Sequence, residues 1–231
     1  MATVGGEFVR ARRPEHKQQR REAILEAARA LALARGVRAI TLGDLADAVG
    51  LAKSNVVRYF GTREEIFVEL CSQEAILLRD RLMPRIATVG RDELPAVLAG
   101  TLMEHELFCE LFSQLTTHLE HHVSFEAAER LKVTSAQVVG ELAEALAARP
   151  VGLDVERAGM LLFVTCQLGA GLWAGSRPSD VVLEVYAAHP EIVPAPSVRA
   201  ELERLVTALA AGLRAEPPRR GTGAPRHTVE V

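Results

Sequence analysis

The sequence predicts an all-α fold, and three observations support that prediction. Apolar residues recur at three- and four-residue spacing through most of the 231 residues, which places them on one face of a helix. Alternating strand patterns are scarce, and Gly and Pro fall between the periodic segments, where they end helices. Hydrophobic residues make up 48% of the chain, which is enough to bury a core shared by many helices.

The charge is divided unevenly along the chain. Residues 1–63 hold twelve Lys or Arg and six acidic residues, a balance of +6, whereas the whole chain carries −3. The remainder therefore carries −9. A basic N-terminal region on an acidic body predicts that one end of the molecule meets a polyanion, although a solvated run of charges would give the same pattern.

The cysteines and the N-terminus bear on the compartment. Cys71, Cys109 and Cys166 are far apart, odd in number and form no CxxC pair, which is typical of a reducing cytosol. The first residues lack the apolar core of a signal peptide. We also find no uninterrupted apolar stretch of bilayer-spanning length. The sequence therefore predicts a cytoplasmic protein with no membrane partner.

The first predicted helix covers residues 17–35. Ile24, Ala28 and Leu31 form its apolar stripe, and Gly36 suits the C-terminal stop. Residues 1–16, which precede it, are rich in Arg and are predicted to form a flexible basic arm.

Two short helices are predicted next. Thr41 caps the first, with Asp44 three residues later as a weak capping box. Gly50 allows the turn between them because it adopts a left-handed conformation without steric cost. The second helix, near residues 53–60, is predicted to turn Val56, Val57 and Phe60 inward. Its outer or marginal positions carry Lys53, Asn55, Arg58 and Tyr59.

Two short helices around a glycine turn, with hydrogen-bond donors outside the second, are typical of a helix-turn-helix. Such a second helix lies in the major groove of DNA, where its first residues reach base edges. Lys donates to guanine and Asn pairs with adenine, while later side chains more often bind phosphates. The N-terminus of a fourth helix, capped by Thr62 with Glu65, offers another anion site. The predicted DNA-binding residues are Thr41, Lys53, Ser54, Asn55, Arg58, Tyr59 and Arg63.

About fifty contiguous residues match one known pattern without a gap. The matching residues are Ile24, Ala27, Ala28, Leu31, Gly36, Thr41, Leu45, Ala46, Val49, Gly50, Lys53, Tyr59, Phe60, Gly61, Thr62, Arg63, Glu64 and Glu65. They resemble the DNA-binding domain of the tetracycline-repressor (TetR) family of bacterial regulators. Two positions depart from the family pattern: Ala52 stands where a capping Ser is usual, and Val57 stands where an aromatic residue is common.

The resemblance implies a domain organisation and a function. Residues 17–63 are expected to form a three-helix, helix-turn-helix DNA-binding domain, and residues 64–214 a helical ligand-binding and dimerisation domain. Residues 215–231, rich in Pro, Gly and Arg, are predicted to be a disordered tail. The resemblance implies a homodimeric repressor with two kinds of partner: double-stranded operator DNA, and an unknown small-molecule effector that releases it.

Helical periodicity continues beyond the DNA-binding region. Helices are predicted near residues 62–83, 92–121, 124–148, 154–175, 178–188 and 197–214. The predicted dimer interface combines the helices at 154–175 and 197–214, through Gly169, Gly171, Gly175, Leu202, Leu205, Leu209 and Leu213. The residues predicted to line the ligand pocket are His105, Phe108, Cys109, Phe112, Phe163, Gln167 and Trp173.

Two alternatives remain open: an activator or a ligand-free architectural DNA binder with the same fold, and an enzyme. His118 and His122 lie four apart on one predicted helix face, so a soluble helical metalloenzyme is the alternative to a regulator. The glycines after residue 168 look like a nucleotide-binding loop, but their flanks predict helix rather than strand, so we interpret them as helix packing. No supported Ser/His/Asp or Cys/His arrangement is present, and we predict no enzyme, no cofactor and no resident metal.

Overall fold

The computed structural model describes residues 6–115, 117–192 and 197–215, with side chains from residue 16 onward. Within these residues all regular elements are helical, which confirms the predicted all-α fold. The α-helices are α1 (Gly6–Arg35), α2 (Leu42–Ala48), α3 (Lys53–Phe60), α4 (Arg63–Ile86), α5 (Leu94–Met103), α6 (Glu106–Leu115), α7 (Phe125–Ala147), α8 (Val155–Gly175), α9 (Asp180–Ala188) and α10 (Val198–Ala215). Three short 3₁₀ turns lie between them, at Val37–Ala39, Leu119–His122 and Pro190–Ile192.

The helices α1, α2 and α3 pack around one small core with the start of α4. Ile24, Leu45 and Val56 are fully covered at its centre. Val57 is 40% exposed, so the prediction that it points inward was wrong. Val56 and Phe60 lie one helical turn apart and fill the inward face of α3, which leaves Val57 a quarter-turn round towards solvent.

The helix α1 begins earlier than predicted. It starts at Gly6, whereas the sequence predicted a start near residue 17. Glutamate and arginine residues of good helix propensity make up much of this stretch, at Glu7, Arg10, Arg12, Arg13 and Glu15. Residues 6–16 of the predicted arm are therefore helical backbone. Residues 1–5 and the side chains of residues 6–15 lie outside the described part, so the flexibility of the arm stays a prediction.

The predicted helix at 92–121 is three elements instead. The helix α5 ends at Met103, α6 begins at Glu106, and a 3₁₀ turn at Leu119–His122 follows. Between α5 and α6 the backbone N–H groups of Glu104 and His105 still bond to the last turn of α5, at 3.0 Å each. The chain then turns and buries the His105 side chain.

The second domain is a helical bundle built around α4 and α8. The helix α4 leaves the small N-terminal core and packs against α5, α6 and α7, while α8 packs against α5, α6, α7 and α10. By length and composition α8 could span a membrane, which corrects the expectation that no segment is long and apolar enough. One face of α8 is buried in this bundle, as in the core helix of a folded domain.

Candidate DNA-binding surface and ligand cavity

The outer face of α3 presents four neighbouring polar side chains. Lys53, Ser54, Asn55 and Arg58 are all exposed, within two turns of helix. Ala52 precedes them at the N-cap and makes no side-chain hydrogen bond, as expected where a capping Ser is replaced. The backbone N–H groups at this end are therefore free of a side-chain acceptor, which leaves them open to a phosphate.

Thr41 and Tyr59 are less available to DNA than the residues of the outer face. The Thr41 hydroxyl accepts from the backbone N–H of Asp44 at 3.2 Å, and the Asp44 carboxylate accepts from the Thr41 N–H at 2.7 Å, so the capping box is confirmed. The hydrogen bonds from Thr41 and Arg35 hold the pKa of Asp44 well below its usual range. Tyr59 is half-buried and packs against the core.

Arg63 has a structural task that the sequence did not reveal. Its guanidinium donates to the backbone carbonyls of Ile40 and Val37, pairs with Glu64 at 2.9 Å and stacks over the Phe67 ring at 4.8 Å. These contacts occupy three of its five N–H groups and leave the side chain only 20% exposed, so we expect Arg63 to contribute less to phosphate binding than the outer face of α3. It fixes the start of α4 to the turn before α2.

A narrow apolar cavity of about 220 Å³ lies between α4, α6, α7 and α8. Phe108 and Phe112, whose rings stack at 5.2 Å, line it together with Phe163 and Gln167, so four of the seven predicted pocket residues meet there. The remaining lining residues are Cys71, Ala75, Leu78, Leu82, Leu115, Glu120, Leu131, Lys132, Ser135, Val138, Val139, Leu142, Leu162 and Cys166.

Three predicted pocket residues lie elsewhere. The Cys109 thiol donates to the Leu102 carbonyl at 3.3 Å and is buried beside α5. Trp173 lies at the junction of the two domains, where the Arg177 guanidinium stacks on its ring at 3.3 Å. His105 binds a buried carboxylate, as described below. Residues from α4 and α7 replace them, and the apolar spacing 71, 75, 78 and 82 along α4 was the signal that sequence analysis missed.

The lining of the cavity is poorly solvated. Burial raises the pKa of both cavity thiols, Cys71 and Cys166, to about 12. The thiols are therefore protonated at neutral pH and chemically unreactive. The one ion pair among the lining residues joins Lys132 Nζ to Glu120 Oε1 at 2.6 Å, at the cavity mouth.

A second, wider cleft of about 460 Å³ lies at the domain junction. It is lined by charged residues of both signs, including Arg35, Arg38, Glu106, Glu110 and Arg177. It is more open than the apolar cavity and mixes its charges, so the apolar cavity is the better candidate for a small-molecule site.

A buried polar network joins the two domains. The Glu74 carboxylate, only 3% exposed, pairs with Arg29 of α1 on one side and with His105 Nε2, at 2.9 Å, on the other. Burial and the nearby cations of Arg81 and Arg29 lower the pKa of His105 to about 4. A neutral ring must therefore donate its Nε2–H to Glu74, which leaves Nδ1 as a buried acceptor with no hydrogen-bond donor among the described residues.

Three further hydrogen bonds join the helices α1 to α3 and the start of α4 to the rest of the helical body. The backbone N–H of Val37 donates to Glu110 of α6 at 3.2 Å. The Thr62 hydroxyl, at the start of α4, donates to the His122 carbonyl at 2.9 Å, and the Ser124 N–H donates to Glu65 at 2.9 Å. The segment between α6 and α7 therefore touches the DNA-binding domain on one side and the cavity on the other.

The histidines do not form the arrangement that the metalloenzyme hypothesis needed. His118 precedes the 3₁₀ turn, with φ −141° and ψ −55°, so His118 and His122 do not lie on one α-helical face. Among the residues that the structure describes, no group of three His, Cys, Asp or Glu side chains is arranged to hold a metal ion.

The predicted interface helices have outer faces that differ from the prediction. Leu202 and Leu213 are buried within their own subunit, with Leu205 and Leu209 half-buried beside them, because α10 packs on α5 and α8. Gly169 also packs inward, since a Cβ there would lie 2.4 Å from the Leu102 side chain. The exposed faces carry Met160, Phe163, Gln167, Gly171 and Ala174 on α8, and Ala208, Ala211 and Gly212 on α10.

Several solved structures share this fold. The multidrug-binding protein EbrR, solved with imidazole, is similar over 82% of this chain and 94% of its own, with a TM-score of 0.53 and 18% identity. The TetR family repressor AlkX from Dietzia sp. strain DQ12-45-1b covers 84% and 95%, with a TM-score of 0.51 and 18% identity. Thermus thermophilus FadR, solved with lauroyl-CoA, covers 88% and 100%, with a TM-score of 0.54 and 15% identity.

Sequence families give the assignment. Among proteins of curated function, no sequence matches the chain. The family described as bacterial regulatory proteins of the tetR family matches residues 24–70, and the tetracyclin repressor-like C-terminal domain matches residues 75–217. Together these matches cover both domains, and the chain belongs to the TetR family of bacterial transcriptional regulators.

Proposed function

We propose that the chain is a cytoplasmic, homodimeric repressor whose operator affinity falls when a small molecule enters the apolar cavity. The observation that carries the proposal is the outer face of α3. Four exposed polar side chains, including Lys53 and Asn55, stand on a rigid helix-turn-helix scaffold. Their positions on the first turns of α3 suit contacts with base edges in the major groove.

The contacts between the domains support a route from the cavity to the DNA. The helix α6 lines the cavity through Phe108 and Phe112, and the same helix holds the Val37 N–H through Glu110. A ligand that displaces α6 must strain that hydrogen bond and the buried pair of His105 with Glu74. The orientation of α1 to α3 relative to the body then changes, and reciprocity requires that operator DNA weaken the ligand equally.

The proposed function requires a dimer. One module reads too few base pairs for useful specificity, so two copies on a palindromic site are needed. The outer faces of α8 and α10 suit a four-helix interface because small residues such as Gly171 and Ala211 allow two helices to approach closely. The proposed activity is binding and release of DNA, without chemical catalysis.

The first prediction tests the role of α3. An operator is selected from randomised duplexes with the wild-type protein, and affinities are then measured by fluorescence anisotropy at fixed salt. Asn55→Ala should lose about 1 to 3 kcal/mol per half-site on the selected duplex and keep its affinity for a scrambled one. Arg130→Ala, on the exposed surface of α7, is the control and should change neither affinity.

Two outcomes would contradict the proposal at different levels. Equal losses for Asn55→Ala on both duplexes would show that Asn55 does not read bases. A wild-type protein that enriches no duplex at all would refute operator binding itself.

A further inference from the structure

The apolar cavity is elongated and has one polar end. Its α4 residues span positions 71 to 82 and its α7 residues 131 to 142, each a stretch of about 16 Å of helix. The two helices run in the same direction, since the Ser124 N–H contacts Glu65 near their starts and Arg79 pairs with Glu141 at 2.9 Å further along. The far end of the cavity is therefore bounded by Leu82 and Leu142 and holds no charge.

The polar end lies towards the DNA-binding domain. Glu120 and Lys132 are the charged residues that line the cavity, and they pair with each other at 2.6 Å. The two partners are not equally placed. The Lys132 side chain is 62% exposed and the Glu120 side chain is 23% exposed, so the carboxylate faces the protein and the ammonium faces water.

This asymmetry decides which sign of charge the cavity accepts. The exposed Lys132 can leave its partner at little desolvation cost because its ammonium is already hydrated. The more covered Glu120 would then need a new cation. The rings of Phe108, Phe112 and Phe163 line the same cavity, and aromatic faces attract cations rather than anions. Burial raises the pKa of both cavity thiols, so a charged group is costly in this cavity unless it has a partner, and a bound cation has the Glu120 carboxylate.

We infer that the cavity binds a lipophilic organic cation, with its hydrocarbon body between α4 and α7 and its positive group on Glu120 in place of Lys132. The Lys132 side chain already shows this geometry, since it is an alkyl chain that ends in an ammonium group on Glu120. The inference rests on the proposed function only in taking this cavity as the effector site. It adds the chemical class of the effector and the residue that recognises its charge.

Replacement of Lys132 by a ligand at Glu120 can also affect the helices that bind DNA. Glu120 lies on the 3₁₀ turn Leu119–His122, and the His122 carbonyl at the end of that turn accepts the Thr62 hydroxyl at the start of α4. When the ligand takes the place of Lys132, the turn loses its tie to α7. The position of Thr62, and with it the start of α4, then depends on the bound ligand.

Three probes with the same ten-carbon chain test the inference: decylammonium, 1-decanol and decanoate, each below its micellar concentration. Isothermal titration calorimetry on the full-length, DNA-free protein should show decylammonium binding at least tenfold tighter than decanol, and decanoate weakest. Glu120→Gln should weaken decylammonium about ten- to a hundredfold, the effect of losing a hydrogen bond to a charged group, and leave decanol unchanged.

The variant Lys132→Met tests whether the cavity prefers a cationic or an anionic ligand. Removal of the internal competitor should tighten decylammonium binding several-fold, whereas a cavity built for anions would lose decanoate affinity instead. Both variants lie at the cavity mouth and should melt like the wild type. Glu129→Gln, an exposed residue of α7 outside the cavity lining, is the matched control. A preference for decanoate, or weaker decylammonium binding by Lys132→Met, would overturn the inference.

The variant Ala75→Phe locates the chain of the ligand. It fills the middle of the cavity and should abolish binding of decylammonium and decanol together; unchanged binding of both would overturn the assignment to this cavity. The two proposals fail separately. Decylammonium binding without any change in operator affinity would refute the coupling but not the ligand class. Release of the operator by another class of molecule would refute the ligand class but not the coupling.

Discussion

The exposed faces of α3 and α8 are opposite in character, although both belong to helices with a buried apolar side. The face of α3 carries Lys53, Asn55 and Arg58 within two turns, and each has donors that water or a phosphate can satisfy. The exposed face of α8 carries Phe163 and Gly171 among uncharged neighbours, with no Asp, Glu, Lys or Arg between residues 158 and 176. One face suits a polyanion, and the other suits a second protein surface.

The difference shows that the side chains on an exposed helix face indicate which kind of molecule that face binds. Long polar side chains such as those of α3 would be costly to bury without hydrogen-bond partners. An apolar side chain such as Phe163, 52% exposed, gains free energy when a partner covers it. The following predictions test whether the two faces have these separate roles.

The largest effect is expected from placing a charge on the α8 face. A Cβ at Gly171 would meet nothing within 4 Å, so Gly171→Arg should fold normally as a single subunit. The arginine would prevent close approach of a second subunit, and the resulting monomer should bind the operator at least about a hundredfold more weakly because it contacts one half-site. Sedimentation velocity and anisotropy titrations measure the two effects.

The control for this prediction is Gly140→Arg on α7. Its Cβ also has no neighbour within 4 Å, and it lies off the proposed interface. It should remain dimeric with wild-type operator affinity. If Gly171→Arg also stays dimeric, the interface does not involve this face of α8.

A smaller effect is expected at the N-terminus, where the arm would extend the basic surface of α3. Deletion of residues 1–16 removes three arginines and should lower the salt dependence of operator binding, by about 0.9 in slope for each phosphate that the arm neutralises in the wild-type complex. Deletion of residues 216–231 removes the same number of residues and also three arginines, which makes it a matched control. Equal slopes for all three proteins would show that the arm does not bind DNA.

The smallest effect is expected at the junction of the two domains, where His105 pairs with Glu74. The pKa of His105 is about 4 in the folded protein, below its ordinary value of 6.5, so the unfolded chain takes up a proton first as the pH falls. Above about pH 6.5, His105 does not lower the free energy of unfolding. Between about pH 6.5 and pH 4 the free energy of unfolding falls with falling pH, by at most about 1.4 kcal/mol per pH unit. Urea unfolding of wild-type protein and His105→Gln at pH 7.5 and pH 5 measures it.

The outcome of that experiment depends on the neighbours of His105. Glu74, Arg29 and Arg81 are the charged groups that act on the ring. The His105→Gln variant keeps a hydrogen-bond donor for Glu74 but cannot titrate, so its stability should change less between the two pH values. A variant with the same pH dependence as the wild type would show that His105 does not cause it.

The DNA-binding half could be predicted from the sequence because its signals are local. The caps at Thr41 and Thr62 and the turn at Gly50 lie within a few residues of the boundaries they set, and α3 begins and ends where predicted. The contacts of Arg63 were not predictable because they are tertiary: it donates to carbonyls more than twenty residues earlier in the chain.

The second half was less predictable because distant residues decide it. No Gly or Pro marks the break between α5 and α6. His105 is instead buried against Glu74, thirty-one residues earlier. The cavity also depends on α4 and α7, which no local spacing brings together. Phe108, Phe112 and Phe163, which were predicted as pocket residues, lie at the cavity, whereas Trp173 of α8 does not. The contribution of Lys132 and Glu120 could not be inferred before α7 and the 3₁₀ turn were placed.

Two glycines of α8 are subject to different restrictions on sequence drift. A Cβ at Gly169 would lie 2.4 Å from the Leu102 side chain of the same subunit, so a larger residue there requires buried Leu102 to move and is disfavoured by the fold of a single chain. Gly171, two positions later, is open within the subunit, and only the proposed partner would exclude larger residues from it. Folding therefore restricts which residues are tolerated at position 169, whereas dimer assembly restricts which are tolerated at position 171 of the same helix. A lineage that changed its oligomeric partner could vary residue 171 freely while residue 169 stayed fixed.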